Sequence, residues 1–389
     1  QKVETWNFNL TVEPFANIKM DVTGARTESK NISSFIQYNT TNSAFEQVSR
    51  KETGNFNLTI FTLRTAFKEG LKRDSLNSSA LFDQFNKNRD IIAGRLNDER
   101  GFVRGEGYSK SPYSGDTVDL VSRVSSDVII PAFLSAYTGI SPTKIPLTAR
   151  PGLAWIRPNW RINYNGNPQD ISWMKNIFTS LNFTHSYRAT YSIGQFETNL
   201  AYKAGEDGLS WVRSQLDEDR FFVPQLDINS VNIQESFSPL INVDASFVND
   251  LSANFEFGRT RNLNFSFSNL QLNEMIKNEF SLGIGYRFTG MDMIIKTKRK
   301  SETVSNDVNL RLELSSSDYK TIFRKITNDE VYDPKGVLQS GTRLFSIDFQ
   351  ADYMISDKLT IKLYYNYKLQ DPHMPAGSEG FLQKDTKFG

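Results

Sequence analysis

Apolar and polar residues alternate along most of this chain with a period of two. The clearest run is residues 225–288. Leu251, Ala253, Phe255 and Phe257 share one side of an extended segment, and Ser252, Asn254 and Glu256 share the other. Leu263, Phe265 and Phe267 alternate with Asn262, Asn264, Ser266 and Ser268. Phe280, Leu282, Ile284, Tyr286 and Phe288 alternate with Glu279, Ser281, Gly283, Gly285 and Arg287. Successive side chains of a strand point to opposite faces, so this period predicts strands with one apolar and one polar face. Asn249-Asp250 between two such runs is hairpin chemistry. The region reads as a meander of antiparallel strands whose two faces meet different media. A soluble sandwich buries one face and wets the other. A membrane barrel sets the apolar face in lipid and the polar face in an aqueous lumen. Strand length favours the barrel: Phe345, Ile347, Phe349, Ala351, Tyr353 and Ile355 continue one face without a break, as do Leu359, Ile361, Leu363, Tyr365, Tyr367 and Leu369 after the turn Ser356-Asp357-Lys358. Soluble strands are commonly about five or six residues, whereas a tilted membrane strand needs roughly 9–11.

The rest of the chain extends the pattern and interrupts it once. Residues 4–25 predict a first hairpin, Phe35 to Tyr38 a third strand, residues 39–52 a polar loop, and Phe56 to about Thr62 another strand. Between Ala66 and Asn97 the spacing becomes helical, with Phe82, Phe85, Ile92 and Leu96 on one side and N-cap oxygens in Asn77-Ser78-Ser79. A second helix is expected from Asp116, kinked or restarted at Pro131 and ended by Gly139. Residues 66–140 thus form a mainly helical insertion, whose mixed charges suit a water-exposed surface. Residues 141–159 are a Pro-rich re-entry segment, and residues 160–389 return to strands. Three strand runs follow: Ile177 to Tyr187, Tyr191 with Ile193, and Phe196 to Tyr202. Loops are expected at about 204–222 and 327–341, giving about sixteen strands in all.

Composition narrows the function classes. The chain has 389 residues, with 45 Lys+Arg against 44 Asp+Glu, so no basic surplus points to nucleic acid. Aromatics make up 13%, including 29 Phe and 15 Tyr, which membrane barrels use as interfacial girdles. Cysteine is absent, which excludes disulfides, thiol catalysis and Cys-ligated metals. The most apolar run, residues 128–137, is too short for a membrane helix and contains Pro131. No signal peptide is visible at Gln1, and the chain reads as a piece of something longer.

No catalytic, cofactor-binding or metal-binding residue emerges, and no enzyme is expected. His185 and His373 lie far apart, whereas a protein metal site needs three or four converging ligands. No P-loop, G-x-S-x-G or H-E-x-x-H run occurs. The glycines of LGIGYRF sit inside an alternating strand, where they relieve crowding or permit curvature. Glu218-Asp219 and Asp329-Glu330 are acidic pairs in polar loops, weak candidates for Ca²⁺ beside the plainer reading of solvated charge. KTKRK at 296–300 is either a solvated strand end or a rim facing anionic lipopolysaccharide. Trp155 and Trp160 are either interfacial anchors or packing between the re-entry segment and the sheet.

Four stretches carry a family resemblance: QLDINSVNIQESFSPLINVD with LSANFEFGRTRNLNFSFSNLQLNE, LGIGYRF, DVIIPAFLSAYTG at 127–139, and RPNWRINYNG at 157–166. Together they resemble the C-terminal region of the SprA/Sov family, the outer-membrane translocon of the type 9 secretion system in Bacteroidota. That resemblance implies part of a very large antiparallel transmembrane β-barrel in the cell outer membrane, with periplasmic and extracellular loops. It implies export of folded proteins through a wide gated pore, motility adhesins among them in gliding species. Implied partners are secreted cargo with a type 9 C-terminal signal domain, a PorV-like outer-membrane shuttle barrel and a periplasmic plug protein. Others are the remainder of a longer parent chain, and membrane lipid and lipopolysaccharide. No nucleic acid and no cofactor are implied. Residues 66–140 and 204–222 are the candidate partner-contact segments. Alternatives from the residues alone are a porin or uptake receptor, or a soluble β-rich adhesin.

Overall fold

The computed structural model describes residues 1–68, 77–101, 108–110, 117–119, 121–166, 168, 172, 174–206, 208–213, 222–296, 301–326, 335–356, 359–375, 377–378 and 380–389. The chain is mostly antiparallel β-sheet. In order, its elements are β1 (Lys2–Phe15), β2 (Ile18–Asn39), β3 (Ala44–Thr59), α1 (Leu63–Ala66), α2 (Ala80–Glu99), β4 (Tyr108–Lys110), β5 (Thr117–Asp119) and α3 (Ser126–Thr138). A 3₁₀ turn at Leu153–Trp155 leads to β6 (Asn159–Gly166), β7 (Phe178–Thr198), β8 (Leu226–Ile228), β9 (Ser230–Phe247), β10 (Leu251–Ser266), β11 (Gln271–Lys296), β12 (Ser301–Lys325), β13 (Val337–Ser356), β14 (Leu359–Pro372) and β15 (Gln383–Phe388). Thirteen strands form one sheet in the order β1-β2-β3-β7-β9-β10-β11-β12-β13-β14-β15, with β6 beside β2 and β7, and β8 beside β7. Within this chain β1 and β15 are the two edges of the sheet.

The hairpins follow local chemistry. β10 and β11 pair without interruption from Leu251↔Tyr286 to Ser266↔Gln271. Asp250 takes the left-handed φ of 61° that turns β9 into β10, and Asn17, at φ 67°, does the same between β1 and β2. β9 carries Pro239 opposite a register shift between Phe257 and Arg259, where a missing N–H costs no ladder bond.

Several boundaries differ from the sequence expectation. Residues 44–52, expected in a polar loop, belong to β3, which pairs with β2 from Asn39↔Ala44 onward. Both faces are polar there, so no alternation marks the strand. At its tip the amides of Asn39 and Asn42 each donate to Glu46 at 2.8 Å and hold its carboxyl below the ordinary range. Phe35 to Tyr38 continues β2 rather than forming a separate strand. The runs expected separately at 177–187, 191–193 and 196–202 are one strand, β7, which ends at Thr198. The polar stretch from Ser301 belongs to β12, and the loop expected to run to 341 ends where β13 starts at Val337.

The three helices lie between β3 and β6. Ser79 caps α2, its side chain accepting from the Phe82 N–H at 3.0 Å. α3 begins at Ser126 rather than Asp116, because residues 117–119 are already paired with 108–110. Pro131 lies inside α3, which ends on Gly139 at φ 70°. Phe82, Phe85, Ile92, Phe133 and Tyr137 are buried against Leu58, Tyr191, Ile233, Leu263 and Phe265 of the sheet. The Phe85 and Phe265 rings meet edge to face at 6.0 Å. Each fully buried Phe contributes about 1.5–3 kcal/mol, enough for a small helical module to hold to the sheet. No helix among the described residues is long and apolar enough to cross a membrane, which has no bearing on crossing by strands.

Candidate functional site

The sheet's two faces are the chemistry of this molecule. One face carries continuous apolar rows. Across β10, β11, β12, β13 and β14, Phe255, Leu282, Leu314, Ile347 and Tyr367 stand in one register row, and Ala253, Ile284, Leu312, Phe349 and Tyr365 in the next. Large side chains here face outward without cover: Phe280, Ile284, Phe288, Ile361 and Leu363 are all exposed. The rows end at a polar one, Arg259, Asn278, Asp318, Arg343 and Asp371. In that row Arg259 donates to Asn278 at 3.2 Å and Arg343 approaches Asp318 at 3.5 Å.

The opposite face is mainly polar, with Met275, Leu344, Met354 and Tyr364 as exposed apolar exceptions. Asn254 donates to Asp244, Asn242 donates to Asp244 at 2.8 Å, and Gln350 donates to Asp352 at 2.7 Å. The Ser315 and Ser346 hydroxyls meet at 2.7 Å. Two grooves hollow this face. One, of about 490 Å³, is lined by residues including Asn7, Thr23, Asn57, Thr190, Asn232 and Gln234. The other, of about 530 Å³, is lined by residues including Asn182, Asp244, Asn254, Asn309 and Arg311. Such a surface suits water, and some of its polar groups pair with one another.

The helical module leaves from a break inside the sheet. β3 and β6 lie end to end in the same slot between β2 and β7. β3 pairs with β2 up to Leu58↔Arg26, and β6 resumes at Asn159↔Thr23. On the other side Thr59 faces Thr190 and Trp160 faces Tyr187. Side chains fill the gap. The Thr59 hydroxyl accepts from the Ala25 N–H at 3.0 Å and donates to the Ala25 carbonyl at 3.3 Å. Asn159 Oδ1 accepts from the Ala189 N–H at 2.8 Å, and the Ile60 N–H donates to the Ala189 carbonyl at 3.1 Å. The backbone groups that a broken strand would orphan are thereby paired.

Buried charges fasten the module to the apolar face. Glu235 on β9 accepts from Arg261 of β10 at 3.1 Å and from the Thr62 hydroxyl, at the point where the chain leaves the sheet. Tyr187 Oη accepts from the Thr62 N–H at 2.6 Å. Arg324 of β12 pairs with Glu274 at 2.5 Å and donates to the Asn77 carbonyl at 2.8 Å, ahead of α2. Arg150, in the re-entry segment, bridges Glu28 at 2.7 Å and Glu52 at 3.2 Å. Sequence reasoning did not single out these residues. Their signal was present: Arg259, Arg261, Glu235 and Glu274 occupy the apolar phase of alternating strands, where a charge needs a partner.

Of the residues singled out from sequence, Trp160 stacks 4.5 Å from Tyr187 and packs near Phe61, joining the re-entry segment to the sheet. Trp155 is half-buried against the same core, with Arg157 5.6 Å over its ring. His185 Nδ1 meets the Leu240 carbonyl at 2.6 Å and His373 Nε2 meets Asp318 at 2.7 Å; the two are not brought together. Gly285 faces Ser252, whose hydroxyl leaves no room for a Cβ, in keeping with a role in relieving crowding. Glu218-Asp219, Asp329-Glu330 and residues 297–300 of the basic run lie outside the described residues. The two candidate partner segments do meet: Arg100, at the end of α2, donates to the Ser210 carbonyl at 2.8 Å and lies 4.0 Å over the Phe222 ring. Neither a scan against protein-family models nor a search of the curated proteins finds a match to this chain.

Proposed function

We propose that this chain is a section of the wall of a large outer-membrane β-barrel, in the manner of the SprA/Sov translocon of type 9 secretion. On this reading the apolar rows meet lipid, the hollowed polar face lines a water-filled pore, and the pore conducts folded proteins without covalent chemistry. The observation that carries it is the unbroken alternation of an apolar and a polar face over Phe280–Phe288 and Phe345–Ile355, within β11 and β13, strands of 26 and 20 residues. A span needs roughly 9–11 residues, so such strands cross a membrane with length to spare. A soluble protein rarely leaves contiguous apolar patches of more than a few hundred Å² uncovered. A long exposed strand edge such as β1 invites further pairing, which fits a sheet continued by the remainder of a longer parent chain better than a closed porin of these strands.

The cargo follows from the resemblance: secreted proteins with a type 9 C-terminal signal domain, motility adhesins among them, with a PorV-like shuttle barrel and a periplasmic plug as partners. A mainly polar lining suits that task, because it offers a folded passenger little apolar surface to adhere to. The test is depletion of the full-length parent in its native host, with secreted proteins quantified in medium and periplasm. Accumulation of many secreted proteins in the periplasm, with parallel loss outside, is the expected result. Normal secretion with impaired uptake of a nutrient would move the assignment to a porin or receptor.

A further inference from the structure

Beside the strand break lies a slot of about 160 Å³ between the helical module and the sheet. Leu58, Ile60, Phe61, Leu134, Ile140 and Trp155 line it, with Arg64 and Arg157 among its other walls. Cofactor-sized ligands occupy about 300–1,000 Å³, so the slot is too small for one. It is poorly suited to water as well. Its Thr138 hydroxyl is already committed to the Leu134 carbonyl at 2.6 Å, and dry apolar cavities take apolar guests. The two arginines differ from those that fasten the module. Arg26, Arg150, Arg261 and Arg324 all have carboxylate partners. Arg157 donates to the Ala154 and Ile156 carbonyls, and neither it nor the exposed Arg64 pairs with a carboxylate among the described residues. The slot also adjoins the outward apolar surface. Ile156 and the Phe8 ring both crowd the space above Gly24, and Phe8 stands with Trp6 and Leu10 on the exposed apolar side of β1.

We propose that this slot holds a segment of one acyl chain of an anionic membrane lipid, with Arg64 and Arg157 gripping its phosphate. The inference rests on the membrane-wall reading. An apolar guest enters an apolar cavity beside the outward apolar surface, and two cations without carboxylate partners select the headgroup.

The test uses the full-length parent in phosphatidylcholine nanodiscs doped with phosphatidylglycerol bearing a photoreactive diazirine on its acyl chain. Crosslinks are mapped by peptide mass spectrometry. The expected result is enrichment at Leu134, Ile140 or Trp155 over the rest of the outward face. Arg64→Gln with Arg157→Gln should reduce it about tenfold, and Ile140→Trp, which fills the slot, should abolish it. Labelling of strands β10 to β14 serves as the fold and insertion control in each variant. Equal labelling of the slot by a diazirine phosphatidylcholine would overturn the anionic selection. Crosslinks spread evenly over the outward face would overturn the slot while leaving the membrane wall intact. Absence of labelling on every apolar row would refute the membrane reading itself. Exclusion of the probe by a co-purifying polypeptide would reassign the slot to a protein partner.

Discussion

Glu235 is the group on which attachment of the helical module depends most directly. It is 1% exposed, as is its partner Arg261, so solvent screens the pair little. It also accepts from Thr62, the residue at which the chain departs from the sheet. Glu235→Gln removes the charge and keeps the shape, taking away the carboxylate that faces the buried Arg261 guanidinium at 3.1 Å. Breaking one partner of a buried pair costs about 3–5 kcal/mol. If local opening of the module bears that cost, the opening equilibrium shifts by roughly two to three and a half powers of ten. The absence of cysteine makes this measurable. Ala66→Cys places a sole thiol of this chain at a site that is 1% exposed, where labelling requires opening. Glu235→Gln in that background should raise the labelling rate at least tenfold. Glu235→Leu with Arg261→Met should return it close to the parent rate, because an apolar pair of similar volume replaces a buried ion pair at little cost. A rate for Glu235→Gln within twofold of the parent, or a double variant as fast as the single, would refute the reasoning.

Asn159→Leu keeps the volume of the side chain but leaves the Ala189 N–H without its acceptor, at about 1–3 kcal/mol; hydrogen exchange at Ala189 should accelerate about fivefold or more, and unchanged exchange would dismiss the bridging role. Gly24→Ala sets a Cβ 2.2 Å from Phe8 Cε1, so the exposed ring must swing aside, and the loss in urea unfolding should be about 1 kcal/mol. Phe8→Ala should relieve much of that loss; an equal or larger loss in the double variant would place the conflict elsewhere. Phe349→Arg and Gln350→Arg are neighbours on opposite faces of β13. The first should lose about 2–4 kcal/mol of membrane stability and the second little, and equal losses in heat-modifiability assays would contradict a one-sided lipid contact.

The sequence carried most of the sheet where each strand has one apolar face, as in β10 to β14, because alternation there reports the two environments directly. The first half of β3 was illegible for the converse reason. Glu46, Gln47, Arg50, Lys51 and Glu52 give it no apolar phase, and its extended form comes from pairing with β2. α2 was legible through Phe82, Phe85, Ile92 and the Ser79 cap. The start of α3 was not, since Val121 and Val124 have helical spacing but are buried outside any helix. The charged ties were half legible: Glu235 and Arg261 break the apolar phase, yet nothing local says that they break it for each other. The break between β3 and β6 left no local trace at all. Thr59 and Asn159 are ordinary polar residues until the fold sets them end to end.

That break explains why a helical module and an extended wall can share one chain without either disturbing the other. An insertion at a hairpin would lengthen a rim loop. An insertion inside a strand must instead close a hole in a hydrogen-bonded sheet, and every unpaired group there would cost free energy. Here the main-chain ladder is carried across by two side chains, Thr59 toward β2 and Asn159 toward β7, and by the Ile60 amide. The Arg157 N–H also donates to the Thr59 carbonyl at 3.0 Å, tying departure to return. The two ends of the module are therefore held a few ångströms apart, whatever occupies the residues between them. Attachment then rests on the apolar contact around Phe85 and Phe265 and on the three ionic ties, two buried and one half-buried, interactions that can be loosened without opening the sheet. A sheet built in this way can keep its polar face continuous while its other face carries a separable, partly apolar module.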